Sequence, residues 1–146
     1  MDKYIITDAT LVLFSLGSKT QVYEKYTNYV VNKTLIDIIE ENCKYYGSSL
    51  KGRCEATEFL TGIKYKCPII LSEMKHLIFF PTTSFKSEDC VWFNYRNIES
   101  YYNKDNYHLV VWMKGNKKVE INISNNVMSN QILKASRLDS ILNNIR

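Results

Sequence analysis

The sequence predicts an α+β chain in which a mainly antiparallel sheet carries a central helical pair and a C-terminal helix packed on the sheet. Three observations carry this. Short apolar runs broken by turn residues flank the chain's middle, the hydrophobic period lengthens between positions 34 and 62, and a single apolar stripe at helical spacing closes the chain. A curved sheet or sandwich shut by a final helix, in the manner of pleckstrin-homology-like domains, would fit by analogy. With 146 residues and no linker, repeat or low-complexity run, residues 1–146 are expected to form one domain.

The elements follow in order. Ala9 to Leu16 is an apolar run that Gly17-Ser18 interrupts, and Gln21 to Asn32 is rich in Val, Tyr and Thr, so a hairpin about Gly17 is expected. Thr34 then offers a helix cap. Leu35, Ile38, Ile39, Cys43 and Tyr46 share one helical face, and Gly47 is a natural stop. Ser48 or Ser49 caps a second helix that Gly62 ends, with Gly52 inside it. Pro68 to Leu71 and His76 to Phe80 flank Ser72-Glu73-Met74-Lys75 as a hairpin, and Val91 to Tyr95 is a further strand. Tyr107 to Met113 and Lys117 to Ile123 flank Lys114-Gly115-Asn116 as another hairpin. Ser124 or Asn125 caps the last helix, whose stripe is Met128, Ile132, Ala135, Leu138, Leu142 and Ile145.

Composition narrows the function classes. The hydrophobic fraction of 45% supports a core without disulfides, and the net charge of +4 permits a polyanionic partner without requiring one. The start of the chain lacks the features of a secretion signal, and no apolar run reaches the ~20 residues of a membrane span. A cytoplasmic chain with no membrane partner is expected. Cys43, Cys54, Cys67 and Cys90 form no C-x-x-C pair, so reduced thiols and no metal or other cofactor are expected. Phosphate-binding glycine loops, H-E-x-x-H and G-x-S-x-G are absent from the sequence. His76 and His108 read as half-buried strand residues, and the acidic pairs Glu40-Glu41 and Glu55/Glu58 read as solvated helix faces. No catalytic residue is assigned and the chain is not expected to be an enzyme.

The basic residues are more telling. Lys44, Lys51, Arg53, Lys64 and Lys66 cluster in and around the helical pair, with Tyr45, Tyr46 and Tyr65 between them. Ammonium and guanidinium groups displace condensed counterions from a phosphate backbone, while phenols add neutral hydrogen bonds. A solvated helix face accounts for the same cluster. Lys114, Lys117 and Lys118 surround a hairpin tip, where polar residues are usual.

One segment carries a resemblance. Cys43-Lys44-Tyr45-Tyr46-Gly47-Ser48-Ser49-Leu50-Lys51-Gly52-Arg53 resembles the C-R-F-F-G-S-S-x-x-G-R segment of the ComK family of competence transcription factors. Pro68-Ile69-Ile70-Leu71, Leu77-Ile78-Phe79-Phe80-Pro81-Thr82, Cys90-Val91-Trp92 and Asn130-Gln131 follow in the family's order. The resemblance implies a sequence-specific activator of DNA-uptake genes. It would bind double-stranded AT-rich boxes largely through the minor groove, as a dimer or tetramer, and affect RNA polymerase indirectly. It nominates Arg53, then Lys44, as DNA contacts, and Lys51, Lys64 and Lys66 of the basic cluster join them as candidates. Lys44 stands where the family has Arg, keeping charge but losing the planar fork. Many ComK-like proteins carry a C-terminal tail resembling the site for an adaptor that delivers them to a Clp protease. No such tail follows the final helix here, so that partner is left open. The alternative is a pleckstrin-homology-like binding module for protein, peptide or lipid that does not bind DNA.

Overall fold

A computed structural model describes residues 1–144. In chain order the elements are β1 (Thr10–Ser15), β2 (Thr20–Glu24), β3 (Asn28–Val31), α1 (Leu35–Tyr45), α2 (Leu50–Thr61), β4 (Ile69–Ser72), β5 (Leu77–Pro81) and β6 (Val91–Asn94). A 3-10 turn at Tyr95–Asn97 leads into β7 (Ile98–Asp105), β8 (His108–Met113), β9 (Lys117–Ile121) and α3 (Asn125–Asn144). This is the expected α+β class, with the C-terminal helix packed on the sheet.

Six strands form one sheet in the order β3-β2-β1-β6-β5-β4, and three form a second in the order β7-β8-β9. Neighbouring strands run antiparallel throughout. The centre of the large sheet joins distant sequence, with Leu13 opposite Trp92 and Phe80 opposite Phe93.

The large sheet is covered on both faces. On one face Leu13, Val22, Phe79 and Trp92 pack against Leu35, Ile38, Ile39 and Cys43 of α1 and Leu50 of α2. On the other, Leu11, Phe80 and Phe93 meet Leu109, Val111 and Met113 of β8, and Met128, Ala135, Leu138 and Leu142 of α3. Coverage on both sides explains why Ile69–Leu71, Leu77–Phe80 and Val91–Phe93 are unbroken apolar runs rather than alternating ones. Burying each such side chain contributes about 1.5–3 kcal/mol.

Several boundaries differ from the sequence expectation. Residues 21–32 form two strands, because the chain turns at Lys25-Tyr26, where the Glu24 amide donates to the Thr27 carbonyl at 2.9 Å. The strand expected to reach Tyr95 ends at Asn94, and that expected to reach Ile123 ends at Ile121. His76 is not a strand residue. It sits in the β4–β5 turn with φ of 53°. β7 was not expected. Most of its side chains are exposed, so it carries no apolar alternation. Ile145, the last member of the expected stripe, lies outside the described residues.

Candidate nucleic-acid interface

The α1–α2 corner is built by its own caps. Thr34 Oγ1 accepts the Asp37 amide at 3.2 Å and starts α1. At the other end Gly47 adopts φ of 93°, the Ser48 amide donates to the Cys43 carbonyl at 2.8 Å, and the Gly47 amide donates to Lys44 at 3.0 Å. That double bond pattern is a Schellman stop, and it needs a residue that tolerates positive φ. Gly47→Ala should therefore cost about 1–2 kcal/mol in urea unfolding. Ser49, not Ser48, then caps α2, its Oγ accepting the Gly52 amide at 2.9 Å. A Cβ on Gly52 would stand 3.0 Å from Ser48 Oγ and 3.1 Å from Ser49 Oγ, so the glycine leaves room for both hydroxyls.

Arg53 follows on the first turn of α2, and its Nη2 donates to the Tyr46 carbonyl at 3.2 Å. The guanidinium thus completes the C-terminal end of α1, where a cation is favoured. Its Nε is buried without a hydrogen-bond partner. Arg53 forms the wall of a hollow of about 630 Å³ with Tyr45, Tyr46, Gly47 and the β4–β5 turn from Ser72 to Lys75. Tyr46 is the hollow's fixed member. Its hydroxyl donates to the Ile6 carbonyl at 2.5 Å, and Lys75 Nζ lies 5.9 Å from its ring centre. Tyr45 packs edge-on against it at 4.9 Å and is 62% exposed, so its own ring is presented to solvent. Two cations, a presented aromatic ring and the exposed Met74 converge there, with Glu73 on the same wall.

Arg53 shares no hollow with the other basic residues nominated from sequence. Lys51 and Arg53 leave α2 about 200° apart, as two positions on a helix must. Lys51 and Lys64 share a hollow of about 400 Å³ with Glu40, Glu55 and Glu58, whose carboxylates offset them. Lys64 and Lys66 flank Tyr65 in an adjoining hollow lined also by Cys54, Cys67 and Ser84. Lys44 is exposed in the last turn of α1. Two of the hairpin lysines are engaged within the fold: Lys117 donates to Asn28 Oδ1 at 2.9 Å, and Lys118 lies over the Trp112 ring. Sequence reasoning missed Lys75 and Lys134; only the fold brings them beside Tyr46 and Tyr65.

The remaining family-like motifs are scaffold. Gln131 is fully buried, and its Nε2 donates to the carbonyls of Pro81 at 2.6 Å and Lys66 at 2.9 Å. Thr82 Oγ1 accepts the Val91 amide at 3.2 Å, tying the ends of the β5–β6 loop. Trp92 is 1% exposed with the Phe85 ring stacked on it at 5.3 Å.

The titratable groups offer no poised nucleophile among the described residues. The four cysteines are free. Burial pushes the Cys43 thiol up to about 11, against the lowering effect of Arg53, and the Cys54 thiol up to about 12. Such thiols stay protonated and unreactive at neutral pH. His108 pairs with Asp105 at 2.8 Å in an exposed position, and Asp105 is held below its ordinary carboxylate range by the Tyr107 amide and then by His108. No helix among the described residues is long and apolar enough to cross a membrane.

Against known proteins, no solved structure matches the chain. A competence transcription factor of Bacillus subtilis (strain 168) is 25% identical over 142 residues, covering 94% of this chain and 74% of that protein. The ComK protein family matches residues 1–145. A match of that extent, with the motif glycines, serines, Pro81 and Gln131 in the structural positions just described, places the chain in the ComK family.

Proposed function

We propose that the chain is a competence transcription factor acting as a single ComK-type domain, which binds AT-rich double-stranded DNA as a dimer or tetramer. Family membership supports the transcription-factor role. The observation that carries DNA binding is the α1–α2 hollow, where Arg53, Lys75 and the exposed Tyr45 ring converge. AT-rich tracts narrow the minor groove and deepen its negative potential, which favours cations at its rim. The bond to Tyr46 fixes the Arg53 fork, so Arg53 acts as a preset donor rather than a freely inserting arm.

The test is fluorescence anisotropy on an AT-rich and a GC-rich duplex across a salt series. Tighter binding to the AT-rich duplex is expected, and equal, weak binding to both would sink the proposal. Arg53→Ala should cost about 1–3 kcal/mol of binding. Lys75→Ala serves as the companion variant because its ammonium closes no helix end. It should weaken binding to all sequences and lower the salt slope by about 1. Unchanged affinity in both variants would remove the hollow from the interface.

A second reading is a binding module for peptide, protein or lipid. It is favoured by the cleft of about 500 Å³ between edge strand β7 and α3, lined by Tyr95, Ile98, Tyr101 and Ile132. Absence of DNA binding in the same titrations would promote it.

A further inference from the structure

The connection from α2 to β4 is short, strained and held from several sides. Gly62 ends α2 in the left-handed region, and the Ile63 amide donates to Thr61 Oγ1 at 3.1 Å. Lys66 adopts φ of 47°, a conformation that residues with a side chain seldom take. Such a conformation persists only where its surroundings over-determine it. Here Gln131 holds the Lys66 carbonyl, Lys134 Nζ donates to the Tyr65 carbonyl at 3.0 Å, and Thr57 Oγ1 donates to the Pro68 carbonyl at 2.6 Å. The backbone is therefore fixed, yet the Tyr65 side chain is 80% exposed. Cations gather around it. Lys64 and Lys66 flank it in sequence and line the same hollow, and the Lys134 ammonium is held below its ordinary range by burial and then by the charge of Lys66. A tethered loop that sets Lys66 beside Lys134 and holds a large ring in water gains nothing for the fold from that ring. It does match an anionic partner with flat apolar surfaces.

We infer that the Lys64-Tyr65-Lys66 tip is a second DNA contact, separate from the Arg53 hollow, in which the lysines meet backbone phosphates and the Tyr65 ring lies against a sugar or base edge between them. This rests on the DNA-binding reading above. The two contacts meet on α2: Arg53 lines the hollow, and the next residue, Cys54, lines the space beside Lys64, Tyr65 and Lys66. Because the loop is fixed before binding, ordering it costs little when DNA arrives.

The test uses the full chain, a labelled AT-rich duplex and a salt series. Tyr65→Ala should weaken binding about 5- to 50-fold with the salt slope unchanged, because a ring and not a charge is lost. Tyr65→Phe should bind as the wild type does. Lys64→Ala should lower the slope by about 0.9. Nitration of wild-type Tyr65 by tetranitromethane, mapped by mass spectrometry, should fall on adding duplex. If the wild type binds the duplex while Tyr65→Ala binds equally well, or while Tyr65 nitration is unaffected, the tip proposal is overturned and the DNA-binding reading stands. If the wild type binds no DNA, both fall.

Discussion

Gln131→Ala should destabilise the protein by about 2–4 kcal/mol and loosen the loop whose Lys66 carbonyl it holds. The side chain is fully buried and donates to two carbonyls that belong to different connections, Lys66 before β4 and Pro81 after β5. Truncation strands both acceptors in a dry site at about 1–3 kcal/mol each before relaxation, and it leaves a cavity. It also frees Lys66 to leave its strained conformation. Urea or thermal unfolding reads the cost, and for a chain of this size the melting temperature should fall by roughly 5–12 °C. Gln131→Leu keeps most of the volume and removes both bonds, so it separates the two causes. A loss below about 1 kcal/mol in both variants would show that the two carbonyls find other partners.

Asn42→Ala should cost a similar amount, about 2–4 kcal/mol, and for a related reason. Asn42 Oδ1 accepts the Ile6 amide at 2.8 Å, while its Nδ2 donates to the carbonyls of Tyr4 at 3.0 Å and Ile38 at 2.8 Å. One amide thus sews the N-terminal segment onto α1, and Ile6 is fully buried beneath it. Removing it leaves a buried N–H with no acceptor. Hydrogen exchange should report selective opening of the first eight residues before global unfolding. The Ile6 carbonyl is also where the Tyr46 hydroxyl is anchored, so DNA affinity through the Arg53 hollow should drop as well. Uniform exchange along the chain would contradict this hinge.

The sequence spoke clearly where side chains repeat or where backbone geometry demands a residue type. Gly17, Gly47 and Gly62 marked reversals that the structure makes with positive φ. Thr34 and Ser49 marked helix starts, and the stripe from Met128 to Leu142 marked a buried face. β7 was silent because an edge strand with exposed side chains has no apolar rhythm. The turn at Lys25-Tyr26 was silent because it uses no Gly, Pro or Asn. The candidate site was legible only as a cluster along the chain. Helical geometry then separated Lys51 from Arg53, three glutamates surrounded Lys51 and Lys64, and tertiary packing brought in Lys75 and Lys134 from segments with no basic motif. The buried amides of Asn42 and Gln131 could not be told from surface polar residues without the fold.

The pairing of β1 with β6 has a kinetic corollary. The middle of the large sheet is sewn from opposite halves of the chain, Leu13 beside Trp92, while α1, α2 and the β4–β5 hairpin are made entirely in between. Those local pieces can form early, but the central ladder waits on closure of a long loop, the step that slows proteins rich in distant contacts. During synthesis β1 and β2 emerge with one sheet edge unsatisfied until residues 91–94 arrive. Such an edge recruits neighbouring chains. The chain is therefore expected to refold slowly and to lose yield steeply with concentration, and a circular permutant that opens a surface loop and fuses the termini would alter the rate far more than the final stability.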